Sequence, residues 1–454
     1  MMKSRMTWTL ALAAAMVAQG ASAKVSVEQA AQLGGDKLTC MGAERAGNAD
    51  GSIPAFGGKW LGAAPGGKTG NGYDPGPYAA EKPLFTITAQ NAEQYAAKLT
   101  EGQKALLKRY PQSFRMPVYP SHRDYRYADW VCDVVKKNAT TAEVLKDGLA
   151  ITGTTGGIPF PFPKDGMEAQ WNGQSPHRAW TEEALVDQFV VYGNGSKAAG
   201  RVQYVILSPW NHPTERGSNQ DKINSYYYSK TLLPERDKGM LIVGWTPNDN
   251  SIDRQTYAYS PGTRRVRQAP EFGYDTPQGA GGFRTVDDDR LFNGSAERYD
   301  WKLIGKREIY VPYNVFGIND PAIKYSQLLT PNTINPDHMR YELHRVWVFE
   351  ATVKKGYRHQ YAKRTFYADE DTWHLLWADN YDARGQLWRA SLVNYFPSAP
   401  IEGMQAGVAV YHDLTANAYY VDRLVNESKQ WWQLNTGKVT ADMFSADAAA
   451  RGGH

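Results

Sequence analysis

The chain has only two cysteines and, beyond its first residues, no long hydrophobic run. Its 454 residues are 22% charged, and no later segment reaches the roughly 20 apolar residues that a membrane helix needs. The sequence also lacks the G-x-S-x-G, H-E-x-x-H and C-x-x-C patterns of common nucleophile and metal sites. From motifs alone we therefore assign no catalytic residue, no metal and no cofactor.

Aromatic and turn-forming residues are abundant instead. The chain contains 14 Trp, 28 Tyr and 14 Phe, which is far more aromatic surface than an unfolded chain carries. It also contains 42 Gly and 25 Pro, and Tyr outnumbers Phe two to one. This mixture favours strands and turns over helix bundles.

The N-terminus resembles an export signal. Lys3 and Arg5 precede an apolar stretch over Met6–Val17, and Ala21-Ser22-Ala23 has the small residues of a cleavage site. We predict a signal peptide over residues 1–23, cleaved after Ala23. Its removal leaves an excess of only two positive charges, which gives no reason to expect nucleic acid as a partner.

The two cysteines, Cys40 and Cys132, both follow the predicted cleavage site. In an oxidising compartment a lone pair is more often a disulfide than two free thiols. A disulfide here would tie an N-terminal arm to a helix. Two free thiols in the denatured, unreduced protein would contradict this prediction.

Helical patterns are confined to the first third of the chain. Apolar spacing predicts helices over Ala89–Tyr110 and from about Arg123 to Lys137, with a shorter one over Thr141–Asp147. We therefore predict an N-terminal arm with lid helices over residues 24–150 and a sheet domain over residues 151–454.

After Leu149 the apolar pattern changes to period two. Val202, Tyr204 and Ile206 alternate with polar residues, and Ser260-Pro261-Gly262-Thr263 separates two such runs. Roughly ten strands with short turns indicate one large antiparallel sheet, curled or closed. The fold class is mainly β (α+β).

Three polar motifs look structural. Gly62–Thr69 matches the phosphate-loop pattern, but neither the strand before it nor the helix after it is present. Asp287-Asp288-Asp289 lacks regular calcium-ligand spacing, so we interpret it as a surface turn. His344 and His412 are expected on solvated strand faces.

The aromatic residues on the strands have two interpretations. They either pack in a core, or they line a cavity that a wide curved sheet cannot fill. Helices near residues 89–137 would then lie over its mouth. Our candidate ligand-binding residues are Tyr204, Ile206, Tyr257, Tyr259, Trp301, Trp347 and Phe349, with Phe160, Phe162 and Trp171 at the rim.

Several motifs resemble known exported families. Thr154–Pro161, Glu168–Asn172, Gly42–Asn48 and Trp301–Arg307 are similar to the bacterial family known as the domain of unknown function numbered 1329. Tyr361–Trp373 with Tyr381–Leu387 resembles the periplasmic lipoprotein-carrier (LolA/LolB-like) superfamily. The resemblance implies a half-open antiparallel barrel with helices covering its mouth, which holds acyl chains.

The resemblance also implies a location and partners, but no catalytic residues. It predicts a periplasmic carrier of a lipid-like or hydrophobic molecule between the envelope membranes. Expected partners are an inner-membrane transporter of the resistance–nodulation–division type and an outer-membrane protein. The alternatives are an envelope hydrolase acting on a lipid, polyester or glycan, and an assembly factor for membrane proteins.

Overall fold

Strands dominate the chain. The computed structural model describes residues 24–59, 72–215, 223–269, 274–428 and 430–452. The strands are β1 Phe85–Ile87, β2 Met116–Val118, β3 Glu143–Leu145, β4 Ala150–Thr152, β5 Thr181–Tyr192, β6 Lys197–Leu207, β7 Ile223–Leu233, β8 Leu241–Pro247, β9 Gln255–Ser260, β10 Arg265–Gln268, β11 Pro277–Gln278, β12 Arg284–Thr285, β13 Tyr299–Pro312, β14 Tyr341–Val353, β15 Lys363–Asp369, β16 Leu375–Tyr381, β17 Leu387–Ser398, β18 Gly403–Asp413, β19 Ala418–Leu424 and β20 Gln433–Leu434. The α-helices are α1 Val27–Ala30, α2 Glu101–Arg109, α3 Asp129–Thr141, α4 Gly166–Gln174, α5 Tyr325–Leu328 and α6 Ala446–Gly452.

Sixteen of these strands form one sheet. Its neighbours run in the order β13-β14-β15-β16-β17-β18-β19-β5-β6-β7-β8-β9-β10, and all of these pairs are antiparallel. The two ends of this path, β13 and β10, do not pair, so the sheet stays open. The predicted fold class, a large curved and half-open antiparallel sheet, is confirmed.

The sheet has two halves of different character. We call β13 to β19 (Tyr299–Leu424) the filled half, and β5 to β10 (Thr181–Gln268) the open half. In the filled half, residues of β13 come within 8 Å, Cα to Cα, of β16 and β17. Three strand spacings of a flat sheet would separate β13 from β16 by roughly 14 Å. The filled half therefore curls tightly, and buried aromatic side chains occupy its interior.

The predicted first helix is divided in two. A 3-10 helix spans Ala92–Lys98 and α2 begins after Thr100. Thr100 accepts a hydrogen bond from the Gln103 backbone while the Gln103 side chain accepts one from the Thr100 backbone. This reciprocal cap starts a new helix, which the apolar spacing did not reveal.

The second predicted helix is present as α3 but starts later, at Asp129. The third, over Thr141–Asp147, is wrong. Residues 143–145 form β3, which pairs with β4 so that Val144 lies opposite Ile151. Cross-strand packing of these two β-branched side chains outweighs the helix-start signal of the acidic first turn.

The N-terminal arm packs on the filled half. The predicted disulfide is confirmed: Cys40 in the arm is bonded to Cys132 in α3, with the Cα atoms 5.1 Å apart. Trp373 donates to the Met41 carbonyl over 3.2 Å, and Arg123 donates to both carboxylate oxygens of Asp371 over 2.7 Å. These contacts hold the described part of the arm against the turn between β15 and β16.

Candidate functional site: a charged cavity in the open half

One face of the open half lines a cavity, and pairing register determines which residues lie on it. Ile206 of β6 lies opposite Glu182 of β5 and Tyr227 of β7. Tyr227 in turn lies opposite Gly244 of β8. Because side chains alternate along a strand, each strand sends every second residue to this face. We call it the inner face; its cavity-lining members are Glu182, Val186, Gln188, Val202, Tyr204, Ile206, Ser225, Tyr227, Ser229, Ile242 and Thr246.

The opposite, outer face is covered by the C-terminal segment. The Phe444 ring lies 5.3 Å from that of Tyr226, and Ala449 of α6 packs with Leu241 and Val243. Lys230 also donates to the Gly452 carbonyl over 2.6 Å. The open half therefore has one face closed by its own chain and one face turned to the cavity.

The remaining walls come from helix ends and a long connection. Trp171 and Gln174 at the end of α4 form one wall, and Trp210 of a short 3-10 turn forms another. Phe292 contributes from the connection between β12 and β13. The cavity has a volume of about 300 Å³, which is at the low end of the ~300–1,000 Å³ typical of ligand sites.

Charged residues meet in this cavity around Glu182. Tyr204 donates to Glu182 Oε1 over 2.6 Å, and Arg290 to Oε2 over 3.1 Å. Arg423 donates to the same carboxylate. Burial alone would raise the pKa of Glu182, but Arg423 and Arg290 outweigh that effect and hold the pKa below its usual value. Glu182 is therefore an ionised, fully engaged group.

A second cluster of charged side chains lies beside Glu182. Arg284 donates to Asp422 over 3.2 Å and lies 3.6 Å from Asp289. Burial opposes ionisation of Asp289, but Arg284 holds the pKa of that carboxyl below its usual value. Every carboxylate of the lining thus faces an arginine.

Three of the ten predicted ligand-binding residues line the cavity. Tyr204 and Ile206 lie on the inner face, and Trp171 lies in the α4 wall. Phe160 packs against Trp171 and Ala142, one layer behind that wall. These positions agree with a role near a ligand, which stays a prediction.

Tyr257 and Tyr259 lie on the outer face. Tyr257 pairs with Val243 and Tyr259 with Leu241, so they share the face that α6 covers. Alternation places both tyrosines on one face but does not specify which face borders the cavity.

The other predicted residues pack against hydrophobic cores away from the cavity. Trp301 and Phe349 pack with Phe366 in the filled half, with ring centroids 5.5–6.1 Å apart. Trp347 stacks on Trp373 at 5.5 Å, and Phe162 packs beside α1. Trp301 and Phe349 occupy the tight curl of the filled half, which the strand pattern alone does not indicate.

Asp287, Asp288, His344 and His412 are buried, so their interpretation as surface residues is wrong. Asp289 alone of the acidic run is half-buried. Asp287 is 1% exposed and accepts from Arg364 over 2.7 Å. His344 is 1% exposed and lies under the N-terminal arm. His412 is 2% exposed and packs against the ring of Phe114, which follows α2. Charge pairing across distant segments makes this burial possible. Gly62–Thr69 and the predicted signal peptide lie outside the described residues.

A buried acidic group in the filled half has ligand-like spacing. His344, Asp369 and Asp371 each offer an atom within 4.8 Å of the others. However, Arg123 engages both oxygens of Asp371, and Tyr313 donates to Asp369 over 2.9 Å. Burial raises the pKa of Asp369 to about 6, and Asp371 adds to the effect. We interpret the group as a polar network that anchors the arm.

Comparison with known proteins agrees with the sequence motifs. The model of the family described as "Protein of unknown function (DUF1329)" matches residues 86–450. The chain belongs to this family. The uncharacterized protein PA3922 of Pseudomonas aeruginosa is 40% identical over 437 residues, which cover 96% of each chain.

Two solved structures are similar at lower levels. A domain assigned to outer-membrane lipoprotein sorting in Vibrio parahaemolyticus is 13% identical with a TM-score of 0.43, covering 63% of this chain and 98% of that domain. A DUF1329 protein of Desulfovibrio piger is 14% identical with a TM-score of 0.39, covering 60% and 92%. These values are too low to transfer a ligand. Within the described residues, no helix has the length and hydropathy needed to cross a membrane.

Proposed function

We propose that this protein binds one hydrophobic or lipid-like molecule in the cavity of the open half. The observation that carries the proposal is the unfilled inner face. Val186, Val202 and Ile242 line a cavity of about 300 Å³, while the outer face of the same strands is closed by the C-terminal segment. A guest that covers these side chains would remove apolar surface from water.

The binding mechanism is physical. Each CH₂ group transferred from water contributes roughly 0.8 kcal/mol, so one acyl chain supplies ample binding energy. Release then requires a partner that opens the cavity or offers an equally apolar site. The helical wall at Trp171 and Trp210 is the part of the lining that such a partner could displace without unpairing strands.

We further propose that the protein works as a carrier between the envelope membranes. The signal-like N-terminus and the disulfide support an oxidising compartment, which in an exported bacterial protein is the periplasm. The transporter and outer-membrane partners are expectations from the family resemblance. Transfer of a fluorescent lipid between two vesicle populations, measured with and without the protein, tests the carrier step.

The binding step is tested with a cavity-filling variant and a matched control. Ser229→Trp places a large ring on the inner face, whereas Ala199→Trp places one at an exposed position of β6 outside the cavity. We expect wild type and Ala199→Trp to bind a hydrophobic fluorescent probe, and Ser229→Trp to lose at least tenfold in affinity. Native mass spectrometry of protein from its host identifies any molecule that co-purifies.

Equal probe binding by all three proteins would overturn the cavity as the site. Absence of both probe binding and co-purifying lipid would overturn the proposed function. Turnover of a lipid ester by the same preparation, lost when a lining carboxylate such as Glu182 is replaced, would favour the hydrolase instead.

A further inference from the structure

The cavity lining carries more positive than negative charge. Five arginines line it, Arg178, Arg254, Arg284, Arg290 and Arg423, but only three carboxylates, Glu182, Asp289 and Asp422. The lining therefore has an excess of two positive charges. Burying unpaired charge is costly, so such an excess requires either solvent or a counter-ion.

The three carboxylates are already engaged by three of these arginines. Glu182 pairs with Arg290 and Arg423. Asp422 and Asp289 face Arg284. The excess charge therefore belongs to the other two arginines.

Those two differ in what surrounds them. Arg254 donates to the Asn293 carbonyl over 2.9 Å and its guanidinium lies 4.5 Å from the centroid of the Tyr274 ring. Within the described residues, the guanidinium of Arg178 has no such hydrogen bond or ring contact, and its buried Nε, like that of Arg254, has no partner. No ion pair joins Arg178 to any carboxylate in the part of the chain that the structure describes. Arg178 is thus a charged residue of the cavity lining whose guanidinium makes no hydrogen bond or ion pair within the described residues.

Charges of both signs surround Arg178 without forming an ion pair with it. Burial lowers the pKa of Arg178 to about 10 and Arg290 adds to the effect, although the carboxylates of Asp289 and Glu182 oppose it. Arg178 still keeps its proton at neutral pH. Burial, together with Arg178 and Arg290, also holds the pKa of His374 well below its usual value. Arg178 therefore stays charged in the lining, near these carboxylates but not paired with them.

Apolar side chains line the other part of the same space. Val202 and Ile206 on β6 and Ile242 on β8 lie on the inner face. A ligand that satisfies both parts must have a charged end and an apolar body. A guanidinium donates two parallel hydrogen bonds to a carboxylate or phosphate, which makes these the matching heads.

We infer that the ligand is a single-chain amphiphile whose carboxylate or phosphate head pairs with Arg178 while its chain lies along Val202, Ile206 and Ile242. This inference rests on the proposed function, because it names the ligand class of the same cavity. An anionic head would neutralise a charge that the protein itself leaves unpaired.

The experiment compares three ligands with one chain length and different heads: dodecanoate, dodecyl phosphate and dodecanol. Their affinities are measured by calorimetry for wild type, Arg178→Gln and Arg265→Gln. Arg265 is an exposed residue of β10 outside the cavity and serves as the matched control. Arg178→Lys tests whether a positive charge alone, without the guanidinium, is enough for the preference for anionic ligands.

We expect wild type and Arg265→Gln to bind one or both anionic ligands at least tenfold more tightly than dodecanol. Arg178→Gln should reduce this ratio to within about threefold of unity while its affinity for dodecanol is unchanged. Arg178→Lys should restore part of the ratio. Preference for dodecanoate over dodecyl phosphate, or the reverse, identifies which head is the natural one.

Two outcomes would overturn the inference and leave the proposed function intact. These are equal binding of dodecanol and both anions by wild type, and an anion preference that Arg178→Gln does not change. Failure of wild type to bind any of the three ligands would overturn the proposed function itself. The folding of Arg178→Gln is verified independently by its unfolding midpoint, which should rise because an unpaired buried charge is removed.

Discussion

The filled half and the open half use the same antiparallel pairing but treat their interiors differently. In the filled half, nearly every residue of β15 to β19 is buried. In β7 of the open half, ten of the eleven residues are half-buried and none is fully buried. The difference lies in curvature, because tight curling brings β13 over β16 and β17 whereas β5 to β8 keep a space that the side chains do not fill. The filled half should therefore contribute most of the stability, and the open half should bind the ligand.

The largest stability effect should come from the disulfide that ties the arm to the filled half. Cys40 and Cys132 enclose a sequence separation of 92 residues, for which chain entropy gives about 4–5 kcal/mol. We expect the double variant Cys40→Ala/Cys132→Ala to lose this amount, measured by urea unfolding. A reducing agent should then leave the double variant unchanged. A loss below about 1 kcal/mol would contradict the entropic account.

The second largest loss of stability should come from the aromatic interior of the filled half. Phe366 is fully buried and packs with Phe292, Trp301 and Phe349. Phe366→Ala should cost about 4 kcal/mol of unfolding free energy, because it removes a buried ring and leaves a cavity. Phe366→Leu serves as the control and should cost clearly less. Equal costs for both variants would show that the site collapses around the missing ring.

The free energy of unfolding should also depend on pH through one buried carboxyl group of the filled half. Burial raises the pKa of Asp379 in the filled half to about 7, although Trp377 and the Gly102 backbone donate to its carboxylate. A raised carboxyl pKa means that the folded state holds the proton more tightly than the unfolded state. Stability from this group is therefore fully present below about pH 4 and lost as pH rises toward 7.

Asp379→Asn removes this titration. Relative to wild type, the variant should gain about 3 kcal/mol in unfolding free energy between pH 4.5 and pH 8. Chemical denaturation at both pH values measures the gain, and Asp382→Asn, in the exposed turn after β16, is the matched control. A difference between Asp379→Asn and wild type that does not change with pH would refute the assignment.

The smallest effect should come from the open half. Ile206 is only half-buried and borders the cavity, so Ile206→Ala should cost about 1 kcal/mol. Denaturant unfolding of Ile206→Ala and Phe366→Ala in parallel compares the packing of the two interiors directly. A cost as large as that of Phe366→Ala would mean that the open half is packed like the filled half.

Sequence patterns located the strands better than they located the site. The alternation of Val202, Tyr204 and Ile206 correctly indicated β6. Tyr204 and Ile206, which were among the candidate ligand-binding residues, line the cavity, and their role in binding stays a prediction. The same reasoning applied to Tyr257 and Tyr259 selected the outer face. Period-two patterns distinguish two faces, but the choice between them depends on where α6 packs.

The arginines of the cavity were missed for a related reason. Arg178, Arg290 and Arg423 come from three distant segments, and each appears in the sequence as an ordinary charged residue. The run Asp287–Asp289 looked like a surface turn because the strand that supplies its partner, Arg364, lies far along the chain. Local spacing carries no signal for such pairs.

The sequence by itself determined the strands, the one possible disulfide pair and the family. These depend on side-chain alternation, on a cysteine count of two and on local motifs, all of which are properties of neighbouring residues. Only the tertiary structure decided which sheet face stays uncovered and which arginines of the cavity lack a carboxylate partner. Both depend on long-range packing and charge pairing, since Glu182 and Asp422 satisfy Arg423 and Arg284 but leave Arg178 facing an unfilled space.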